Sequence, residues 1–278
     1  MSAAAVAVGC TWSGSARVTS SSSGAPRTVT YGNDPSQVAD LYLPAGAGPF
    51  PVVVLIHGGF WRTGYDRSLM VDLANDLTGR GIAAWNIEYR RVAGRGSAWP
   101  ALFADAAAAT DALATLDVPI DRARIVSVGH SAGGHLALWL AARHRLTAPA
   151  PGSDPAVELR AAVSQAGVAD LVLGERTGIG GNAVDDLLGG SPATYPDRYA
   201  IADPAELLPI GVPQLLVHGD ADANVPIAQS RTYAAKAKAI GDDVELVELP
   251  GVDHFAHLDP RSSAWAAVTS RLPTLLTP

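Results

Sequence analysis

Ser131 is the residue around which chemistry can be organised in this chain. It lies in Gly129-His130-Ser131-Ala132-Gly133, between the apolar run Ile125-Val126-Ser127-Val128 and a helical run from His135 to Ala142. G-x-S-x-G between a strand and a helix presents a serine hydroxyl above a sheet edge. The flanking glycines keep side chains out of a sharp turn. The helix that follows points free N–H groups and its positive dipole end at the serine, which favours an oxyanion there. A plain glycine-rich turn is the simpler reading. The choice depends on what the rest of the chain supplies.

Serine is a weak nucleophile at neutral pH and needs a base within hydrogen-bond reach, and the base needs a partner that fixes its tautomer. In a fold of this kind the chain order is serine, acid, histidine, each on a loop after a strand. After the apolar run Gln214–His218 comes Gly219-Asp220-Ala221-Asp222-Ala223-Asn224-Val225-Pro226, and after Val244–Leu249 comes Pro250-Gly251-Val252-Asp253-His254-Phe255. His254, directly after the strand-ending turn, is favoured as the base over His257, one turn further on. His144 is expected at a solvated helix end. His57 and His218, each ending a strand before glycine, are expected in structural hydrogen bonds, while His130 lies in the elbow and His135 just beyond it. Asp222 is favoured as the acid over Asp220, which could instead bind amides of its own turn; Asp253 is third. The oxyanion donors expected are the N–H of Ala132 and those of Gly59 and Phe60 in His57-Gly58-Gly59-Phe60-Trp61, where two glycines let the backbone present N–H groups to a cavity.

The elements that must position these loops follow the hydrophobic pattern. Short apolar runs over 28–31, 38–43, 52–56, 82–87, 124–128, 161–166, 214–218 and 244–249 read as strands. Helical patterns cover 68–80, 100–116, the run after the elbow to about 145, 227–240 and 262–276. The continuous run Val52–Ile56 has the composition of a strand buried on both faces. Alternating strands and helices with short links predict an α/β fold with a mostly parallel sheet, helices on both faces and an antiparallel start. Residues 168–209 break the rhythm and read as a small lid-like insertion. Residues 1–26 read as a flexible extension, and 27–278 as one domain.

Composition narrows the class. The chain has 278 residues, 48% hydrophobic and 17% charged, with a net charge of −7. It is neither disordered nor membrane-spanning by composition, and an acidic balance disfavours nucleic acid as a partner. Cys10 is the single cysteine. It permits no disulfide within the chain and no cysteine-rich metal site. The segment Ala3 to Cys10 followed by a Ser/Gly/Thr-rich stretch resembles the end of a bacterial lipoprotein signal, without the charged start or a full apolar core. The expected location is therefore cytoplasmic as written, and exported or lipid-anchored through Cys10 only if that signal is truncated here.

Taken together, the elbow, the H-G-G-x-W loop, the H-G-x-x-D-x-x-V-P acid loop and the G-x-x-H histidine loop resemble the α/β-hydrolase superfamily over residues 28 to 276. The His57–Trp61 stretch is similar to the arylformamidase and small-esterase branch near the hormone-sensitive-lipase-like enzymes, and the acid loop to prolyl-oligopeptidase-like peptidases. Phe60 stands where hormone-sensitive-lipase relatives carry a third glycine, which argues against lipase-like substrates. The resemblance implies a serine hydrolase working through an acyl-enzyme, with no cofactor and no metal, on a small-molecule ester or amide. A carboxylesterase acting on small or aryl esters is the first expectation; an arylformamidase and a small peptidase are the enzymatic alternatives. A catalytically silent binding protein on the same fold is the alternative outside enzymes. Trp61, Tyr65 and Trp99 are expected to line the substrate pocket, with ordinary core packing as the competing role. The charges of Glu88-Tyr89-Arg90-Arg91 read as a structural cluster at a strand end. Asp170 and the lid residues Tyr195, Asp197, Arg198 and Tyr199 are weaker pocket candidates.

Overall fold

The computed structural model describes residues 25–277. The expectations for residues 1–24, including the fate of Cys10, lie outside the described residues. Eight strands, β1 (Arg27–Thr30), β2 (Val38–Tyr42), β3 (Phe50–Ile56), β4 (Ala83–Ile87), β5 (Ile120–His130), β6 (Ala161–Gln165), β7 (Gln214–Gly219) and β8 (Val244–Leu249), form one sheet in the order β1-β2-β4-β3-β5-β6-β7-β8. The β1–β2 and β2–β4 pairs are antiparallel and every later pair is parallel. This is the α/β-hydrolase architecture expected from the sequence.

Side-chain period divides the core in two. On β3, Val52, Val54 and Ile56 face a cluster containing Trp61, Trp85, Phe103 and Trp139. Val53 and Leu55 face the opposite cluster, with Met70, Leu73, Leu77, Trp265 and Leu272. The first is covered by α2 (Ala101–Asp111), α3 (Ala132–Ala142) and α7 (Ala228–Ala239), the second by α1 (Val71–Gly79), α8 (Ser263–Thr269) and α9 (Leu272–Leu275). All eleven residues of α3 are buried, which explains its near-absence of polar positions.

Some helix ends differ from the sequence expectation. The first turn of the 68–80 helix is a 3-10 turn, Arg67–Met70, capped by Asp66 accepting the Ser68 N–H at 2.8 Å. The pattern over 100–116 yields α2 and then a 3-10 turn at Ala112–Ala114. The expected closing helix is two, α8 and α9, because Pro273 has no N–H to continue the ladder across Ser270 and Arg271. Residues 168–209 hold α4 (Leu171–Arg176), α5 (Ala183–Leu188) and α6 (Pro196–Ala202), with no strand. Leu171, Val184, Leu187 and Tyr199 pack into the first core cluster. Among the described residues no helix is long and apolar enough to cross a membrane.

One topological feature locates the site. From β3 the chain steps to β4 on one side and then to β5 on the other. Ligands in open α/β sheets bind outside the carboxyl ends of strands at such a reversal. The loop after β3 begins at His57, and the loop after β5 carries Ser131.

Candidate active site

The elbow is strained and tightly packed. Ser131 has φ 57° and ψ −120°, a conformation that β-carbon-bearing residues rarely adopt and that clusters at functional sites. Its N–H donates to the Gln165 carbonyl at 2.8 Å, tying the turn to β6. A Cβ on Gly129 would lie 1.9 Å from the Gly133 oxygen, so glycine is obligatory there.

Asp222 and His254 meet as the loop pattern requires. His254 Nδ1–H donates to Asp222 Oδ2 at 2.6 Å, and both side chains are buried. This bond fixes the tautomer that leaves Nε2 free to accept a proton. The other carboxylate oxygen accepts the N–H groups of Asn224 and Val225, both at 2.8 Å. Burial alone would raise the Asp222 pKa, but hydrogen bonds from His218, His254 and the Val225 N–H hold it well below the usual carboxylate range. The acid is therefore ionised throughout the neutral range.

The competing histidines and aspartates have other partners. His218 donates from Nε2 to the Val225 carbonyl at 2.9 Å, with Asp222 Oδ2 at 3.3 Å, and its Nδ1 meets Ser230 Oγ at 2.7 Å. His57 is bonded to Glu88 at 2.9 Å and stacked on Tyr89. His135 lies between the Trp61 indole N–H and the Ala202 carbonyl. His257 is fully buried with neither ring nitrogen partnered among the described residues, and His144 is exposed. Asp220 accepts the Gly251 N–H at 2.6 Å, and Asp253 accepts the N–H groups of Phe255 and Ala256.

Ser131 and His254 line one cavity of about 40 Å³, together with Gly59, Phe60, Tyr65, Leu69, His130, Asn224, Phe255 and Leu258. The oxyanion-loop candidates Gly59 and Phe60 are thus beside the serine. Gly59 has φ 112°, and Phe60 and Trp61 follow with φ 52° and 58°. Such a run of left-handed residues turns successive amides away from regular ladders. The N–H groups of Gly59, Phe60 and Ala132 make no hydrogen bond among the described residues. A larger cavity of about 280 Å³, lined by Leu140, His144, Val157 and Ile210 among others, lies away from the elbow. It contains no candidate nucleophile.

Two expected pocket residues are elsewhere. Trp61 is 1% exposed and belongs to the core, where its indole N–H donates to His135 Nδ1 at 3.2 Å and its ring meets that imidazole edge-on. Trp99 packs against Phe103 and under the Arg198 guanidinium, outside the Ser131 cavity. Tyr65 does line the cavity and is 48% exposed. Asp170 caps α4 and pairs with Lys236 at 2.8 Å. Tyr195, Asp197, Arg198 and Tyr199 are absent from the cavity lining. Glu88, Arg90 and Arg91 form the structural cluster expected, with Arg90 bound to both oxygens of Asp105. Sequence reasoning missed Leu69, Asn224, Phe255 and Leu258. Asn224 and Phe255 carried a signal, lying in the acid and histidine loops already singled out.

Comparison with known proteins agrees with this fold. Among curated relatives, an esterase, LipC, of Mycobacterium tuberculosis is 28% identical over 245 residues, covering 82% of this chain and 59% of its own length. An isoprenylcysteine alpha-carbonyl methylesterase, ICME, of Arabidopsis thaliana is 27% identical over 245 residues, covering 82% and 56%. The chain thus spans less than two thirds of the length of these relatives. Among solved structures, a truncated carbohydrate esterase from gut microbiota superposes with a TM-score of 0.76 at 22% identity, covering 95% of this chain and 99% of that one. A thermophilic esterase, Est2, of Thermogutta terrifontis gives 0.71 at 24% identity, covering 91% of each. At these identities the structures bear on fold alone. The BD-FAE family model matches residues 39–237, more than half of the chain, and the chain belongs to that family.

Proposed function

We propose that this chain is a serine hydrolase that cleaves carboxylic esters of small or aryl compounds through an acyl-enzyme. The observation that carries the reading is His254, bonded to the buried Asp222 at 2.6 Å, sharing one cavity with a positive-φ Ser131. The names of the curated relatives, both esterases, support the same reaction class. In the proposed mechanism His254 Nε2 accepts the Ser131 Oγ proton as Oγ bonds to the ester carbonyl carbon. The N–H groups of Ala132 and of Gly59 or Phe60 hold the oxyanion. Collapse breaks the bond to the alcohol oxygen, which takes the proton back from His254. A water molecule then repeats the sequence and releases the acid and free serine. Asp222 stays ionised and steadies the imidazolium. The modest cavity, about 40 Å³, favours short acyl groups. Tyr65 and Phe255, 48% and 59% exposed, offer aromatic surface at its edge to an aryl portion.

A fluorophosphonate should add its mass to the peptide carrying Ser131, and Ser131→Ala should abolish both labelling and hydrolysis of p-nitrophenyl acetate. Folded protein that takes no label would overturn the reading. A p-nitrophenyl ester series should decline as the acyl chain lengthens. An N-formyl aryl amide turned over with a higher kcat/KM than every ester would replace ester with formamide hydrolysis.

A further inference from the structure

His130 is the elbow residue whose side chain bonds the main chain of His254. Its backbone leads directly into Ser131, and its ring Nε2 lies 2.9 Å from the main-chain carbonyl of His254. The two rings pack at 4.6 Å between centroids, tilted by 49°. His130 is 2% exposed. A carbonyl only accepts, so Nε2 carries the hydrogen, and the neutral ring leaves Nδ1 bare. Nδ1 has no partner among the described residues, which agrees with that tautomer. Burial, with His254 and His257 beside it, pushes the His130 pKa far below its ordinary value, so the ring is neutral at working pH.

We propose that His130 is a positioning residue for the hydrolase site: its Nε2–H clamps the peptide of His254 and thereby sets the base relative to Ser131. The inference rests on the proposed role of the Ser131, His254 and Asp222 side chains. His254 is then held at two points. Asp222 takes its ring through Nδ1 at 2.6 Å, and His130 takes its main chain at 2.9 Å. The first bond leaves the imidazole able to swing with its backbone, because the loop carrying it follows an edge strand and continues into the 3-10 turn Phe255–Leu258. The second bond stops that swing, and its donor is one residue from the nucleophile. Serine and base therefore move together. Misplacing a catalytic group by about 1 Å costs on the order of 10²-fold in rate.

The test compares His130→Gln with His130→Asn and His130→Leu. Gln carries an N–H donor about as far from the main chain as His Nε2, Asn carries one too short to reach, and Leu carries none. His130→Leu and His130→Asn should lose 10- to 100-fold in kcat with KM for p-nitrophenyl acetate changed less than about threefold. His130→Gln should recover most of that loss. Fluorophosphonate labelling rates should fall and recover in parallel, with thermal melts reporting the fold. Loss of KM alone, kcat within twofold of wild type for a folded Leu or Asn variant, or no difference between folded Gln and Asn variants would overturn the proposal. In the unsubstituted protein, long-range nitrogen–proton spectra of labelled histidine should show His130 as the neutral Nε2–H tautomer. The Nδ1–H tautomer would overturn the proposal without any variant. Failure of wild type to label at Ser131 would instead reject the hydrolase reading on which this one rests.

Discussion

Replacing His257 by Leu probes the electrostatics beneath the site. His257 is 0% exposed, and neither ring nitrogen has a partner among the described residues. Burial, with His218 and His254 nearby, lowers its pKa from 6.5 to about 3. The unfolded chain takes a proton there below its ordinary pKa, whereas the folded protein does not until about pH 3. Stability therefore falls as pH drops through this window, by about 1.4 kcal/mol per pH unit for one proton. His135, lowered to about 4 by burial, and His130, also lowered by burial, act in the same direction. Asp203 acts in the opposite one. Burial and the Asp170 carboxylate raise it to about 7, so the folded protein gains stability there as pH falls. His257 alone contributes a slope of about 1.4 kcal/mol per unit between about pH 6 and pH 4, and two units remove about 3 kcal/mol, a large share of the stability of a modest domain. His257→Leu should lower the measured slope by about 1.4 kcal/mol per unit. At about pH 8 it should be as stable as wild type or more so, because an unpartnered buried imidazole gives way to an apolar group of similar size. Urea unfolding followed by circular dichroism from about pH 8 to about pH 4.5, at constant ionic strength, reads both quantities. An unchanged slope, or a loss above about 2 kcal/mol at pH 8, would refute the reasoning.

Two further predictions address the machinery itself. Asp222→Asn keeps an acceptor for the Asn224 and Val225 amides but removes the charge facing His254, so kcat should fall on the order of 10³–10⁴-fold with the melting temperature little changed. Asp220→Asn, measured beside it, should change kcat by less than about tenfold; the reverse ranking would exchange their roles. Gly129→Ala would bring a methyl within 1.9 Å of one backbone oxygen and 2.2 Å of its carbon, contacts that no rotamer relieves. It should cost at least about 3 kcal/mol in urea unfolding and abolish fluorophosphonate labelling.

The parts of this fold legible in the sequence are those that local chemistry dictates. The continuous run Val52–Ile56 has the composition of a doubly covered strand, and the G-H-S-A-G turn lies between an apolar run and a helical run, the context a reactive serine requires. Asp222 and His254 were legible because each follows an apolar run by a short turn, and the structure brings their side chains together. Ring direction was not legible. Phe60 and Trp61 are adjacent aromatics on one loop, yet Phe60 lines the cavity while Trp61 is buried against His135. Trp99 reads as a pocket residue by type, but its neighbours Phe103 and Arg198 come from α2 and α6. Leu69, Phe255 and Leu258 reach the cavity from two 3-10 turns whose placement depends on packing over the sheet. The bond from His130 to the His254 carbonyl spans 124 residues and has no local signature.

The strand order also decides which part of the site fails first. Ser131 follows β5, which has a neighbour on each side and α3 packed over it. His254 follows β8, the outermost strand, which among the described residues pairs with β7 alone and has Glu245 and Glu248 exposed. Glu245 paired with Arg271 and Glu248 paired with Arg231 place charge on the two opposite faces of this edge strand, exposed pairs that discourage edge-to-edge aggregation but add little stability. Fraying in a sheet begins at such edges, well below the free energy of global unfolding. The proposed nucleophile and its base are therefore built into regions of unequal durability. A molecule with β8 lifted and the His130–His254 bond broken keeps the elbow and the Gly59–Phe60 loop but loses the proposed proton acceptor, so under the proposed mechanism activity reports the closure of the last strand rather than the integrity of the core.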